Sequence, residues 1–141
     1  MHNPSVDWCY KTEPDASMNN RSIRYPRGKT LGGSSSINGL LYIRGQSRDY
    51  DIWRQLGNTG WGWDDVLPYF IKAENQERGK DEFHGIGGPI SVSDQRIQLP
   101  LLNDFQNAAE EFGIPTTKDF NTGKNHGCSY FQVTAKGGLR L

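Results

Sequence analysis

The chain has 141 residues, a length that suits one domain or a piece of a larger one. Its hydrophobic content of 34% and aromatic content of 11% differ from the composition of a disordered protein. The 16 basic and 16 acidic side chains cancel, and this balance argues against a nucleic-acid partner because such proteins usually carry a basic excess.

The first 26 residues predict a β-hairpin. Residues 7–13, DWCYKTE, alternate loosely and are rich in aromatic side chains, as is typical of a half-buried strand. Residues 18–21 supply turn-forming side chains, and residues 22–25 can return as the partner strand. Pro26 ends that strand because proline cannot donate to a strand ladder.

The next stretch, PRGKTLGGSSSING at residues 26–39, places two glycines and three serines before an apolar run. Glycine lacks a Cβ, so its backbone adopts unusual dihedral angles and lets a ligand approach closely. A serine at 34–36 is a good N-cap for a helix over residues 37–43. The first amides of that helix, close to Arg27 and Lys29, would form an anion site suited to phosphate.

The bland alternative for this stretch is an ordinary turn followed by a helix cap. Its spacing matches neither the GxGxxG dinucleotide motif nor the phosphate-binding loop that ends in Gly-Lys-Ser/Thr. Spacing alone therefore leaves both interpretations open.

Two helices are predicted in the middle of the chain. Apolar side chains at intervals of three predict a helix over residues 47–56, which Gly57 ends. Asp64 or Asp65 can cap a second helix that runs to about Glu77. The pair of tryptophans in the WGW sequence just before these aspartates is expected to pack at the start of that helix.

The remaining residues predict a polar, glycine-rich loop over 78–89, a short strand at 90–92, a third helix over 100–112 and a last strand over 130–134. The third helix is expected to turn an apolar face inward, formed by Leu101, Leu102, Phe105, Ala108, Ala109 and Phe112. The fold class is therefore α/β with mixed helix and strand, and we expect no internal boundary within residues 1–141. Few, short elements separated by long loops predict a modest core.

No membrane span or secretory signal is predicted. The most apolar window, residues 37–43, has seven residues, whereas a spanning helix needs about 20. Residues 1–8 lack the basic and apolar regions of a signal peptide. Cys9 and Cys128 are too far apart for a local metal-binding pair and favour free thiols in a reducing compartment. We expect a cytoplasmic protein, with peripheral membrane association and oligomeric state left open.

The stretch PRGKTLGGSSSINGLLYIRG, with Asp49 or Asp51 after it, resembles the first signature of the glucose–methanol–choline (GMC) family of flavin-dependent alcohol oxidoreductases. The similarity extends to DWCYKTEP before it and to GWGWDDVLPYFIKAE and FHGIGGPISVSD after it, and it is strongest to choline dehydrogenase-like bacterial members. The resemblance implies part of the FAD-binding domain, without the N-terminal Rossmann βαβ unit, since the chain has no GxGxxG motif.

The resemblance also implies which residues contact FAD. The expected contacts are Thr30, Gly32, Gly33, Ser34, Asn38, Gly39, Leu40 and Leu41. Some family members attach the flavin covalently through a histidine at the position of Ile37. Isoleucine cannot form that bond, so non-covalent FAD is implied.

The implied function is that of an FAD-binding segment of an enzyme that oxidises choline or another small primary alcohol by hydride transfer to flavin. The catalytic histidine of the family lies near the end of a longer chain, so we expect no catalytic residue here and an inactive chain when alone. We interpret the sequence as an internal fragment, with Met1 at an interior position. The alternative is a truncated, non-catalytic remnant that neither retains FAD nor turns over substrate. The electron acceptor, oxygen or a quinone-linked carrier, stays open.

The three histidines are not expected to replace the missing catalytic group. His84 lies in the turn FHGIGG, where a structural role is expected, His2 is terminal, and His126 lies in a polar loop. No acidic cluster near them has metal-ligand spacing, and we expect no metal site.

Overall fold

The computed structural model describes residues 3–140, which form two compact units that divide between Leu40 and Leu41. Each unit has its own secondary structure, and among residues 3–140 all buried residues except Asp7 belong to the second unit. The expectation that the chain has no internal domain boundary is not tested by this division and stays a prediction. His2 lies outside the described residues.

The first unit contains the predicted hairpin. Strand β1 (Tyr10–Lys11) pairs antiparallel with β2 (Arg24–Tyr25), so the hairpin is confirmed, although its strands are shorter than predicted. Asp7 lies at its base and is 2% exposed. One carboxylate oxygen of Asp7 accepts hydrogen bonds from the N–H of Cys9 at 2.9 Å and from the N–H of Arg27 at 3.1 Å.

The predicted helix over residues 37–43 does not form. A single 3-10 turn, Gly33–Ser36, ends at Ile37, and Leu41–Tyr42 is a strand, β3. A short apolar run suits a strand as well as a helix. This run forms a strand rather than a helix because β3 pairs antiparallel with β6 (Gln132–Val133), which lies in the centre of the predicted last strand.

Two helices open the second unit. Helix α1 (Ser47–Gln55) is confirmed, whereas α2 (Trp63–Ala73) differs from the prediction at both ends. Its N-cap is Gly62, and Asp65 lies inside the first turn, where its carboxylate accepts the Gly62 N–H at 3.0 Å. Of the two tryptophans expected to pack at the start of this helix, Trp63 is buried, whereas Trp61 is 52% exposed and its ring lies against Trp53 of α1.

Helix α2 ends earlier than predicted, because the residues after Ala73 are extended. Glu74–Gln76 form strand β4, which pairs parallel with β5 (Ile90–Val92) and so ends the helix at Ala73. A hairpin of β7 (Ala135–Lys136) and β8 (Leu139–Arg140) completes the strands.

Helix α3 (Pro100–Glu111) is confirmed, but its predicted inward face is wrong. Only Ala109 of the six apolar side chains is buried, while Leu101, Phe105 and Phe112 are 76%, 65% and 85% exposed. Helical spacing identifies an apolar face, but it does not supply an element to cover that face, and residues 3–140 do not cover it.

The interior of the second unit is unusually polar. The buried apolar side chains are Trp63, Val92, Ala109, Phe120 and Ala135. Within the described chain they share this interior with seven buried polar or charged residues, which are Arg44, Glu74, Gln76, His84, Ser93, Asn121 and Gln132. Buried polar groups of this kind must be paired with one another, because an unpaired group costs about 1–3 kcal/mol.

The loop before β5 passes so close to the end of α2 that it requires glycine. A Cβ at Gly85 would lie 1.9 Å from the carbonyl oxygen of Ile71, a backbone atom that cannot move independently. We therefore expect Gly85→Ala to lower the free energy of unfolding by about 1–3 kcal/mol, as overpacking does. Denaturant unfolding measures this change.

Gly45→Ala is the matched control for that variant. Its Cβ would meet only side-chain atoms of Tyr50 and Asp49, at 3.1–3.2 Å, and these atoms can rotate away. Equal destabilisation by the two variants would contradict the proposed backbone clash.

Candidate functional site

The glycines and serines of the first unit form a tight turn. The N–H of Gly33 donates to the carbonyl of Thr30 at 2.9 Å, and the N–H of Ser35 donates to the carbonyl of Gly32 at 3.3 Å. Gly32 and Gly33 have φ angles of 88° and 57°. This left-handed backbone favours glycine, because a Cβ there is strained.

The serine hydroxyls bind the backbone of the same turn. The hydroxyl of Ser34 accepts the N–H of Gly28 at 3.2 Å. The hydroxyls of Ser35 and Ser36 donate to the carbonyls of Gly32 and Leu31, at 2.7 and 2.9 Å. The serine run thus shapes the turn. The expected anion site at a helix N-terminus does not form, because a four-residue 3-10 turn has no aligned column of free amides.

The turn is open beside Gly33. A Cβ added at Gly33 would meet no atom within 4 Å, and the side chain of Leu31 is fully exposed. Within residues 3–140, no acceptor binds the N–H of Gly32 or of Ser34. The turn therefore has both the room and the hydrogen-bond donors that an anionic ligand needs.

A second turn follows at Asn38–Leu40. The side-chain oxygen of Asn38 accepts the N–H of Leu40 at 3.0 Å, and Leu40 has a φ angle of 61°. A left-handed leucine costs about 1–2 kcal/mol. Strained residues of this kind concentrate at ligand-binding positions. Gly39 lies between them and is exposed, and Leu41 then begins β3 in the second unit.

The two basic residues upstream lie on aromatic rings. The guanidinium of Arg27 is 4.0 Å from the ring centre of Tyr25, and the ammonium of Lys29 is 4.9 Å from the Trp8 ring. Such cation–π contacts hold both charges at the surface of the first unit.

The second unit buries a charged cluster that sequence analysis did not identify. Arg44, Glu74 and His84 are 4%, 0% and 2% exposed. The Nη2 of Arg44 lies 2.8 Å from the Oε2 of Glu74. The Nδ1 of His84 lies 3.0 Å from the same oxygen, and its Nε2 lies 2.9 Å from the Oδ2 of Asp119.

His84 is positively charged in this cluster. Burial lowers its pKa, but Asp119 and Glu74 on its two ring nitrogens outweigh that effect and raise the pKa to about 9. Burial raises the pKa of Asp119, yet its interactions with His84, the Asn121 amide and Arg78 hold that pKa below the ordinary value. An imidazolium between two carboxylates has no free lone pair for a base. This geometry agrees with the expected structural role of His84.

Other site classes receive no support in the described part of the chain. No group of three or more His, Cys, Asp or Glu among residues 3–140 is arranged to hold a metal ion. No helix in the same range has the length and apolar character needed to cross a bilayer. Cys9 and Cys128 form no disulfide.

Comparison with known proteins identifies the family to which the chain belongs. Residues 11–140 match the family model of GMC oxidoreductases. Oxygen-dependent choline dehydrogenase from Rhizobium johnstonii is 42% identical over 134 residues, which is 95% of this chain and 24% of the relative. The enzyme of the same name from Brucella anthropi is 41% identical over 140 residues, or 99% of this chain and 26% of the relative.

Solved structures give the same assignment. Pyridoxine 4-oxidase from Mesorbium loti superposes with a TM-score of 0.87 at 33% identity and covers 97% of this chain and 27% of its own. An FAD-dependent oxidoreductase from Chaetomium thermophilum superposes with a TM-score of 0.79 at 30% identity, over 96% of this chain and 27% of its own. The chain thus spans about a quarter of the length of each of these proteins.

The buried imidazolium makes stability depend on pH. The pKa of His84 rises from 6.5 to about 9 on folding, so its contribution is fully present below about pH 6.5 and is lost as pH rises through about 9. The pKa of Asp119 falls from 3.8, so its contribution is present above that value and is lost as pH falls. We expect the free energy of unfolding, measured with urea, to be highest between pH 3.8 and 6.5 and to decline at lower and at higher pH.

We assign the decline in the free energy of unfolding above about pH 6.5 to His84. His84→Gln should remove it, whereas His126→Gln, at an exposed histidine, should leave it unchanged. An alkaline decline that persists in His84→Gln would refute the assignment.

Proposed function

The chain belongs to the GMC oxidoreductase family, and we propose that it is the FAD-binding segment of an alcohol oxidoreductase that acts on CH–OH donors. The observation that carries the proposal is the open side of the turn at Gly33, where an added Cβ would meet no atom within 4 Å and a ligand has room. Bound FAD supplies a hydride acceptor for alcohol oxidation. The protein contributes binding and orientation through this segment.

We assign the cofactor contacts to the two turns of the first unit. They comprise Thr30, Gly32, Gly33, Ser34, Asn38, Gly39 and Leu40. The amides of Gly32 and Ser34, which bind no acceptor within residues 3–140, would donate to an anionic group of the cofactor. Leu41, half exposed at the start of β3, is the proposed contact in the second unit.

The proposed binding is non-covalent. Ile37 stands where some family members carry the histidine that bonds the flavin, and its aliphatic side chain has no group that forms such a bond. We propose choline or another small primary alcohol as the substrate of the full-length enzyme, on the strength of the choline dehydrogenases that the chain resembles.

No residue of this chain is assigned the role of accepting the hydroxyl proton. Among residues 3–140 the one buried histidine, His84, has both ring nitrogens against carboxylates and is 2% exposed. We therefore place the catalytic base outside this segment.

A second candidate is a truncated, non-catalytic remnant that neither retains FAD nor turns over substrate. The exposed apolar face of α3 favours it, because Leu101, Phe105 and Phe112 lie in solvent. Exposed apolar surface of this kind promotes association of a chain with itself or with other proteins.

The glycine turn gives the decisive binding test. Gly33→Val would put a branched side chain into the space assigned to the cofactor, and we expect FAD affinity to fall at least about tenfold, or 1.4 kcal/mol. Titration of the purified chain with FAD, followed by flavin fluorescence, measures the affinity.

Gly137→Val is the matched control, because Gly137 has nearly the same φ angle, 58°, and an equally open Cβ position in the β7–β8 turn. Equal loss of affinity in both variants would attribute the effect to backbone strain. Absence of FAD binding by the unmodified chain would favour the non-catalytic remnant.

A turnover assay tests the absence of a catalytic group. With saturating FAD, choline and an artificial electron acceptor, we expect the chain to reduce the acceptor no faster than free FAD does. Turnover above that background would show that a residue of this segment accepts the proton.

A further inference from the structure

The buried cluster of the second unit closes on itself as a ring of five residues. The ring runs through Arg44, Glu74, His84, Asp119, Asn121 and back to Arg44. Its first three links are the ion pairs described above, of which the third, between the Nε2 of His84 and Asp119, is a charge contact at 2.9 Å without hydrogen-bond alignment. Asp119 then accepts the N–H of Asn121 at 2.6 Å, and the side-chain oxygen of Asn121 accepts the N–H of Arg44 at 2.8 Å.

The ring holds the chain just after β3. Asn121 is 2% exposed and binds the backbone there twice, through the Arg44 N–H and, at 3.4 Å, through the carbonyl of Tyr42. The side-chain amide of Asn121 thus accepts from one backbone N–H and donates to one backbone carbonyl, as a neighbouring strand would. The guanidinium of Arg44 also donates to the carbonyl of Phe83 at 2.7 Å. The backbone after β3 is therefore fixed by the ring in addition to the pairing of β3 with β6.

The ring depends on the protonation of His84. A neutral imidazole has one N–H and can donate to only one of its two carboxylates. Four other charged or titratable side chains lie around the ring. Arg78 is 3.9 Å from Asp119 and is itself paired with Asp94. Asp81 accepts the backbone N–H of His84, and the hydroxyl of Tyr42 is 3.4 Å from Arg44. The uncharged neighbours are Gln76, 3.3 Å from the ring nitrogen, and Gln132 beyond it.

We propose that this ring positions β3 so that Leu41 is held for contact with the cofactor, with the His84 imidazolium as its closing link. The inference rests on the proposed function, because it takes Leu41 to be an FAD contact. His84, Glu74 and Asn121 act through β3, so they are positioning residues. The side chain of Leu41 is 54% exposed while the backbone beyond it is bonded to the ring, as a presenting strand requires.

The first test measures hydrogen exchange in the chain without FAD. Glu74→Gln should raise the exchange rate of the Arg44 amide and of the β3 amides at least about tenfold more than it raises that of the β7–β8 hairpin amides. Glu77→Gln is the matched control, since Glu77 lies three residues away and pairs with Arg96 near the surface. Equal acceleration in all of these amides would show general destabilisation only and would overturn the proposal.

A second measurement needs no variant and so does not depend on the folding of one. In the unmodified chain, NMR should show both ring nitrogens of His84 protonated at neutral pH, and the amide shift of Arg44 should titrate with the same midpoint as the ring. A neutral His84 at pH 7, or an Arg44 amide that does not follow its titration, would overturn the proposal.

FAD titration separates this inference from the proposed function. Glu74→Gln should weaken FAD binding about tenfold, and Glu77→Gln should not change it. Unchanged FAD affinity in a Glu74→Gln chain whose β3 amides have lost protection would overturn the link from the ring to the cofactor. It would leave the FAD-binding function standing, because the unmodified chain would still bind FAD.

Discussion

The second unit depends on one buried contact, the imidazolium of His84 between the carboxylates of Glu74 and Asp119. Removing one partner from such a group costs roughly 3–5 kcal/mol, because it leaves an uncompensated buried charge. The contact also joins parts of the chain that are distant in sequence, since Glu74 opens β4 and Asp119 belongs to the loop after α3. Few apolar side chains are buried here, and the polar pairing shares the interior with them.

The conformation of the first unit around its glycine–serine turn is set by backbone dihedral angles and by hydrogen bonds to the backbone. Its proposed FAD-binding segment is shaped by left-handed φ angles at Gly32, Gly33 and Leu40 and by serine hydroxyls that donate to nearby carbonyls. Such a turn presents amide groups and open space, both of which suit a planar, anionic cofactor. Membership in the GMC oxidoreductase family gives this open turn its proposed ligand.

Local patterns predicted most elements but not their partners. The spacing of apolar residues identified α1 and α3, and the alternation around Ile90 identified β5. The run after Asn38 was mispredicted as a helix because pairing with β6, about 90 residues away, decides its conformation. Helix α2 was extended too far for the same reason, since Glu74 pairs with Ile90. Arg44 and Glu74 each directly follow a mainly apolar stretch and precede polar residues, so nothing local marks them as buried.

The sequence by itself determined the family, the mixed helix and strand content and the position of the glycine–serine turn, because these depend on residue types and spacings within short segments. Only the tertiary structure decided that the serines bond their own turn and that the α3 face is exposed. It alone revealed that five residues between Arg44 and Asn121 close a ring. The physical reason is that a buried charge acquires its partner and its pKa from groups that only folding brings within hydrogen-bond distance.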